Sequence, residues 1–377
     1  MLQNVLNTTY FHNKNHARII NFSAAKAVND FDNKLGQIAD EISKANNICL
    51  MAHKDPDCDA GASVLAVLDM IKKRHPGKQV DIYINGNMPK SLKKFEDVKK
   101  IIHLNNDKFD KEKIKEYDLA IALDSQRLDL LSESGAAIFN NAARTIKIDH
   151  HPKPNKGFAN IELIDSTAKS TTQILIKLAD KMNISIEKNL AKLLFSGIVS
   201  DSSGFSNLST NSAKTFEACA RLAKTGINTG EIYADVINHM TRPMFEYYRK
   251  ILNNVHFTKD GRIVSIQESR DFLKNLPQKI KDDAVGRSKV LMEIGTTILL
   301  NIEGVKVSMR AMPTKDDIGA KIILRGNGIP VNRVAQYFNG GGHPIMAGCE
   351  IENKTIPNAV KKVINYIQTQ KLLDKQV

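Results

Sequence analysis

Four short runs set the frame for this chain: Ile48-Cys49-Leu50-Met51-Ala52, Val80–Ile84, Leu119–Leu123 and Thr145–Ile148. Each is too brief to be a helix of its own, and helical patterns separate several of them. A continuous apolar run suits a strand buried on both faces. Alternation of such strands with helices predicts a parallel sheet covered on both sides. The helical segments include 32–46, where Leu35, Ile38, Ala39 and Ile42 recur at helical spacing, and Ala60 to Arg74, stopped near Pro76-Gly77. Thr171–Met182, Leu190–Val199 and Ser212–Thr225 carry the same pattern.

From residue 255 the texture changes. Val255–Thr258 and Arg262–Gln267 flank Lys259-Asp260-Gly261, a hairpin signal, and strand-like runs follow at Thr297–Ile302, Lys306–Ala311 and Ala320–Leu324. A chain of 377 residues, 42% of them hydrophobic, can build two cores. The predicted class is therefore α/β. A larger N-terminal domain (1–227) has a mainly parallel sheet flanked by helices, 228–254 is a linker, and 255–377 form a smaller α+β domain.

No apolar stretch approaches the ~20 residues needed to span a bilayer. The first 29 residues lack Asp and Glu and carry Lys14, Arg18 and Lys26, but no secretory apolar region follows, so they read as an ordinary start rather than a targeting segment. Cys49, Cys58, Cys219 and Cys349 have no paired spacing, which points to reduced thiols and a cytoplasmic protein. The net charge of +13 favours an anionic partner such as a nucleotide or nucleic acid, although many lysines, as between Lys90 and Lys100, suit a solvated helix face. With 6% aromatics and no Trp, an extended base-stacking platform is not expected.

Polar residues close three of the four runs. His53-Lys54-Asp55-Pro56-Asp57-Cys58-Asp59 follows the first, Asp124 ends the third, and Asp149-His150-His151 ends the fourth; Asp201 follows the apolar stretch Leu193–Val199. In open parallel sheets, ligands bind outside the carboxyl ends of the strands. Taken singly, each residue suits a cap, a turn or a surface hydrogen bond. Gathered at one edge, the carboxylates repel one another without a cation. With His53, Asp57, Asp59, Asp124, His150 and Asp201 as ligands, four carboxylates balance two divalent cations. Oxygen donors with two imidazoles and no thiolate suit manganese, and also magnesium, iron or cobalt, better than structural zinc. Two such ions ~3.5–4 Å apart activate water for in-line attack on phosphorus. No Gly-x-Gly-x-x-Gly follows the first run, which sets aside an ordinary Rossmann cofactor domain.

The order of these motifs resembles the DHH phosphoesterase superfamily, and in particular its two-domain branch of nanoRNases, 3′-phosphoadenosine-5′-phosphate (pAp) phosphatases and cyclic-di-AMP phosphodiesterases. The matching residues are His53 with Pro56-Asp57-Cys58-Asp59, then Asp124 with Arg127, then Asp149-His150-His151, then Asp201 with Gly204 and Phe205. The run Gly340-Gly341-Gly342-His343 resembles the GGGH motif of the branch's C-terminal nucleotide-binding domain, so the resemblance spans nearly the whole chain. Alone, three glycines are as readily a plain turn; the N-terminal motifs decide.

The resemblance implies that His53 and Asp57 hold one metal, that Asp59 and His150 hold the other, that Asp124 bridges them and that Asp201 completes the site. It implies that His151 faces the scissile phosphate, with Asp149 behind it orienting an imidazole. Arg310, Gly341, Gly342, His343 and Arg127 are the implied substrate-binding residues, in a cleft between the domains. The implied activity is manganese-dependent hydrolysis of short RNA, pAp or linear and cyclic dinucleotides, by a homodimer that needs no membrane. The chain departs from the family at Asp55, where relatives often carry Asn, and at Ser206, where an Arg is common; the second departure bears on pAp-type bisphosphates. Two other readings remain. One is a catalytically silent nucleotide- or RNA-binding protein on the same fold. The other is a manganese pyrophosphatase, whose Ser-Arg-Lys-Lys run is answered here only by Gly286-Arg287-Ser288-Lys289.

Overall fold

The computed structural model describes residues 30–104, 114–152, 156–206, 208, 212–237, 240–282, 286–287, 290–291, 293–314 and 318–374; the acid-free residues 1–29, with Ser288 and Lys289, lie outside them. The chain divides into two compact units, one up to residue 239 and one from 240 on.

The first unit runs α1 (30–44), β1 (Asn47–Ala52), α2 (Cys58–Arg74), β2 (Gln79–Ile84), β3 (Ile101–His103), β4 (Leu119–Leu123), α3 (Ser132–Asn140), β5 (Arg144–Asp149), β6 (Ile161–Ile164), α4 (Thr171–Lys181), α5 (Lys188–Asp201), α6 (Ser212–Ala223) and α7 (Thr229–Val236). Its strands pair in the order β3-β2-β1-β4-β5-β6, all parallel. The four apolar runs are β1, β2, β4 and β5; β3 and β6 add short strands at the two edges. Burial on both faces explains the continuous apolar character. Ile48, Leu50 and Ala52 enter the large core with α2, α4 and α5, whereas Cys49 and Met51 point the other way, toward Ile138 and Phe139 of α3. The chain winds outward from β1 through β2 and β3, then returns to start β4 on β1's other side. The switch point between β1 and β4 is where such sheets open a crevice.

The second unit contains α8 (Arg242–Leu252), β7 (Val255–Phe257), β8 (Ile263–Gln267), β9 (Val307–Pro313), β10 (Ala320–Gly326), β11 (Gly341–His343) and β12 (Met346–Ile351). The sheet order is β11-β12-β10-β9-β8-β7, antiparallel except for β8 on β9. Helices Val331–Tyr337 and Ile356–Thr369 cover one face, packing on Val307, Met309, Ala311, Ile322, Leu324, Ala347 and Cys349. The segment expected to link the two domains holds α7, which packs Ile232 on the first core, and α8, which packs Tyr247 and Ile251 in the second unit.

One expected strand is absent. Across Thr297–Asn301 the backbone is helical, with a π-helical turn at Glu293–Ile298 and a 3-10 turn at Leu299–Asn301, and only Ile302 is extended. Ile294 and Leu299 are buried there beside Tyr247 and Ile251. A short apolar run reads alike as a strand or a buried helical turn, and packing chose the turn. No helix among the described residues is long and apolar enough to cross a membrane. All four cysteines are buried and free.

Candidate active site

The carboxyl ends of β1, β4 and β5 lie side by side, and each delivers its polar residues to the same edge. His53 follows β1. Its Nδ1 is 2.9 Å from the Lys54 carbonyl, which can only accept, so Nδ1 carries the proton and Nε2 offers a lone pair. That Nε2 lies 3.9 Å from Asp124 Oδ2. Asp57 caps α2, its Oδ1 accepting the amides of Asp59 and Ala60 at 3.0 Å each.

Asp59, in the first turn of the helix, is completely buried. Its Oδ2 accepts the Thr171 amide at 2.6 Å, and its Oδ1 accepts the Thr172 amide and hydroxyl at 3.1 and 2.6 Å. An acid at the start of α2 thus binds the start of α4. The fit is close enough that a Cβ at Gly197 of α5 would sit 2.3 Å from Asp59 Oδ1.

Asp124 occupies the centre. Its backbone is left-handed, φ +54°, an unusual conformation for a non-glycine residue that costs ~1–3 kcal/mol and gathers at functional sites. Oδ1 accepts the Thr171 hydroxyl at 2.9 Å and lies 3.5 Å from His150 Nε2, while Oδ2 faces His53. His150 Nε2 is also 2.9 Å from Asp201 Oδ2, yet it is not aligned for a hydrogen bond, so this buried nitrogen has no hydrogen-bond partner. A buried imidazole nitrogen held among carboxylates without a hydrogen-bond partner fits the role of a metal ligand. Three overlapping donor groups result: His53 with Asp57 and Asp124, Asp59 with His150 and Asp201, and Asp124 with His150 and His151. The chemistry of these donors fits divalent cations.

Electrostatics agree. Burial, then repulsion from Asp201, pushes Asp59 up to about 7. Burial and then Asp59 raise Asp124 well above the ordinary carboxylate range. Burial alone would lower His150, but Asp201 and Asp59 outweigh it and raise it. Asp149 is the exception. Although buried, it is held below the usual range because His151 donates both its amide, at 3.1 Å, and its Nδ1–H, at 2.8 Å. His151 Nε2 is left to face outward.

Some participants had gone unread in the sequence. Thr171 and Thr172 position Asp59 and Asp124; the visible trace was the cap signal of Ser170 before α4. Lys147 is completely buried, with Nζ 2.9 Å from the Gln126 carbonyl and 3.3 Å from Asp149 Oδ2. A lysine inside an apolar run was the signal for it. The other expected residues have surroundings of their own. Arg127 is exposed and forms a two-pronged pair with Asp129, at 2.9 and 2.8 Å. Arg310 belongs to the second unit, and its Nε donates at 2.6 Å to the buried Glu268, which Tyr247 also contacts. Gly341, Gly342 and His343 form β11 and are exposed. Cross-strand register sets Gly341, Gly348, Ile323 and Arg310 in one row, and His343, Met346, Arg325 and Ser308 in another two residues along.

Residues 47–198 match the DHH family, N-terminal domain, and residues 283–369 match the DHHA1 domain. The chain is 27% identical over 320 residues to protein MG371 of Mycoplasma genitalium, covering 83% of this chain and 89% of that protein. It is 24% identical over 313 residues to the Bacillus subtilis bifunctional oligoribonuclease and PAP phosphatase NrnA, covering 82% and 91%. Among solved structures, an exopolyphosphatase-related protein from Bacteroides fragilis shares the fold, with a TM-score of 0.72 at 24% identity over 91% of this chain and 98% of that one. With both domains present in order and an acid–imidazole cluster at the switch point, this chain belongs to the two-domain branch of the DHH phosphoesterases and is a metal-dependent phosphoesterase.

Proposed function

We propose that the protein hydrolyses phosphodiester or terminal phosphate bonds in short oligoribonucleotides, pAp or linear and cyclic dinucleotides, with two manganese ions. The observation that carries this reading is Asp124, whose two oxygens face different imidazoles, beside the orphaned His150 Nε2. His53 and Asp57 would hold one ion and Asp59, His150 and Asp201 the other, with Asp124 within reach of both donor groups. When bound, the ions neutralise the acids, help water ionise near neutral pH and offset charge on the phosphoryl oxygens. The ammonium-free composition of the cluster supports a charge balance of this kind.

His151, oriented by Asp149, presents Nε2 to the phosphate and either donates a proton to the leaving oxygen or hydrogen-bonds a phosphoryl oxygen. In the second unit, His343 and the glycines of β11 take the terminal nucleotide. An ideal Cβ on Gly341 meets nothing within 4 Å, so packing does not demand glycine there, and close approach of a ligand is the remaining reason. Arg310 contributes the part of its guanidinium that Glu268 leaves free. Arg325 joins it as a phosphate contact: it shares a row with His343 and has no acidic partner among the described residues. The four buried, free thiols favour a reducing cytoplasm.

The test is a panel of pAp, pApA, cyclic-di-AMP and 5′-labelled di- to pentaribonucleotides with manganese. Turnover of at least one is expected, and none with the site metallated would overturn the proposal. Asp124→Asn separates an enzyme from a silent binding protein: turnover should fall at least ~100-fold, whereas a binding module would retain or gain affinity for the anion.

A further inference from the structure

A pocket of about 240 Å³ adjoins the exposed side of the cluster, with His150 and His151 in its wall. The rest of the wall comes from Pro152, Leu208, the loop before α4 and the first turn of α6, and includes Ser166, Lys169, Ser212 and Thr215. Beside a centre crowded with acids, this pocket is lined by no carboxylate among the described residues. Lys169 brings the ammonium, and it has no ion-pair partner among the described residues. The walls are tied together: Gln173 Oε1 accepts the Lys169 amide at 3.0 Å and the Thr215 hydroxyl at 3.2 Å. Asp165 fixes the loop through the Thr167 amide and hydroxyl, at 3.1 and 2.6 Å, and is itself neutralised by Lys177. The volume lies below the ~300–1,000 Å³ of whole small-molecule sites, so it suits one sugar–phosphate and not a dinucleotide. A larger cavity, about 460 Å³, has Lys72, Asp97 and Lys100 in its wall, and both lysines are paired with Asp97. It leaves no unpaired charge from that trio for a ligand.

We propose that the pocket beside His151 is a phosphate subsite. Resting on the function proposed above, it seats the second phosphate of the substrate, one nucleotide away from the bond that breaks, with Lys169 as its charged contact and the hydroxyls of Ser166 and Ser212 around it. It thereby selects substrates such as pApA over the same dinucleotide without its 5′-phosphate. The acids around the metals repel any phosphate that no cation covers, so a second phosphate needs its own positive contact nearby.

The test compares kcat/KM for pApA and for ApA, with manganese, in wild-type protein and variants. Wild type should prefer pApA by about tenfold, the worth of one charge-assisted hydrogen bond. Lys169→Gln should bring that preference close to one, mainly through a higher KM for pApA, with ApA little changed. Ser166→Phe, an exposed position that narrows the pocket, should lower kcat/KM for pApA. Lys181→Gln, which removes a lysine at the far end of α4 that is paired with Asp32, should keep the wild-type preference. An unchanged preference in Lys169→Gln, an equal loss in Lys181→Gln, or no preference in wild type would each overturn the subsite. If wild type turned over neither these nor the other nucleotides of the panel, the proposed function itself would fall instead.

Discussion

Asp149-His150-His151 carries three different duties within three residues. Asp149 points back into the sheet, His150 points toward Asp124 and Asp201, and His151 turns outward. Beneath them Lys147 and Asp149, both completely buried, stand 3.3 Å apart. The Lys147 ammonium lies over the Phe158 ring at 5.1 Å and also holds the Gln126 carbonyl, so it ties the loop after β4 to the end of β5. Removing one partner of a buried pair leaves the other charge uncompensated, at a cost of ~3–5 kcal/mol. Lys147→Met is therefore expected to lower the unfolding free energy measured by urea titration by that amount and to depress turnover. An unfolding free energy within ~0.5 kcal/mol of wild type would show that Asp149 does not need the ammonium.

At the scale of elements, the centre depends on two helix starts meeting. α2 begins at the Asp57 cap and α4 at the Ser170 cap, and Asp59 of the first accepts the amides of the second, where the helix dipole favours a negative charge. Gly197 makes room for that junction. Gly197→Ala should be destabilised by ~2 kcal/mol or more, because its new methyl group meets Asp59 and Thr172 at 2.3 Å, and it should bind manganese weakly by calorimetry. The glycines before His343 divide in the same way. A Cβ at Gly340 would be 2.2 Å from the Gly348 carbonyl, and Gly342 combines φ +140° with a Cβ 2.6 Å from Ala347 Cα, whereas Gly341 is open. Gly340→Ala and Gly342→Ala should each lower the melting temperature. Gly341→Ala should leave it unchanged and raise KM for the nucleotide, and equal melting losses at all three would make the run a turn only.

At the scale of the molecule, the buried acids link folding, pH and metal. Asp59 is raised from 3.8 to about 7, and Asp124 is raised as well. Between those values the folded, metal-free protein keeps protons that the unfolded chain has released. Stability contributed by this linkage is present at low pH and falls as pH rises toward about 7. Asp149 and Asp165, held below the ordinary range, act in the opposite sense only at pH below 3.8. In EDTA the melting temperature should therefore be lower at pH 8 than at pH 5. Manganese at 100 times its Kd should restore ~2.7 kcal/mol, and more effectively at pH 8, where the ligands are deprotonated. A flat EDTA profile with no metal response would argue that these carboxylates are not metal ligands.

The sequence by itself determined the parallel sheet, because strands buried on both faces must be continuously apolar, and it showed the acids and imidazoles, because polar residues that end such strands stand out. It also showed the hairpin of β7 and β8, where turn chemistry is local. It did not reveal β3 and β6, which are three and four residues long and owe their pairing to neighbours, nor the helical turns at Glu293–Asn301, whose burial came from contacts distant in the chain. Tertiary structure alone decided that β1 and β4 are adjacent, that Thr171 reaches Asp124 across 47 residues and that Thr172 reaches Asp59 across 113. It also decided that Arg310 is engaged by Glu268 and that Lys169, in the wall of His151's pocket, has no ion-pair partner among the described residues. Residue type and local periodicity are written in the chain; which charges find partners depends on distances between segments far apart in sequence, and those exist only once the chain has folded.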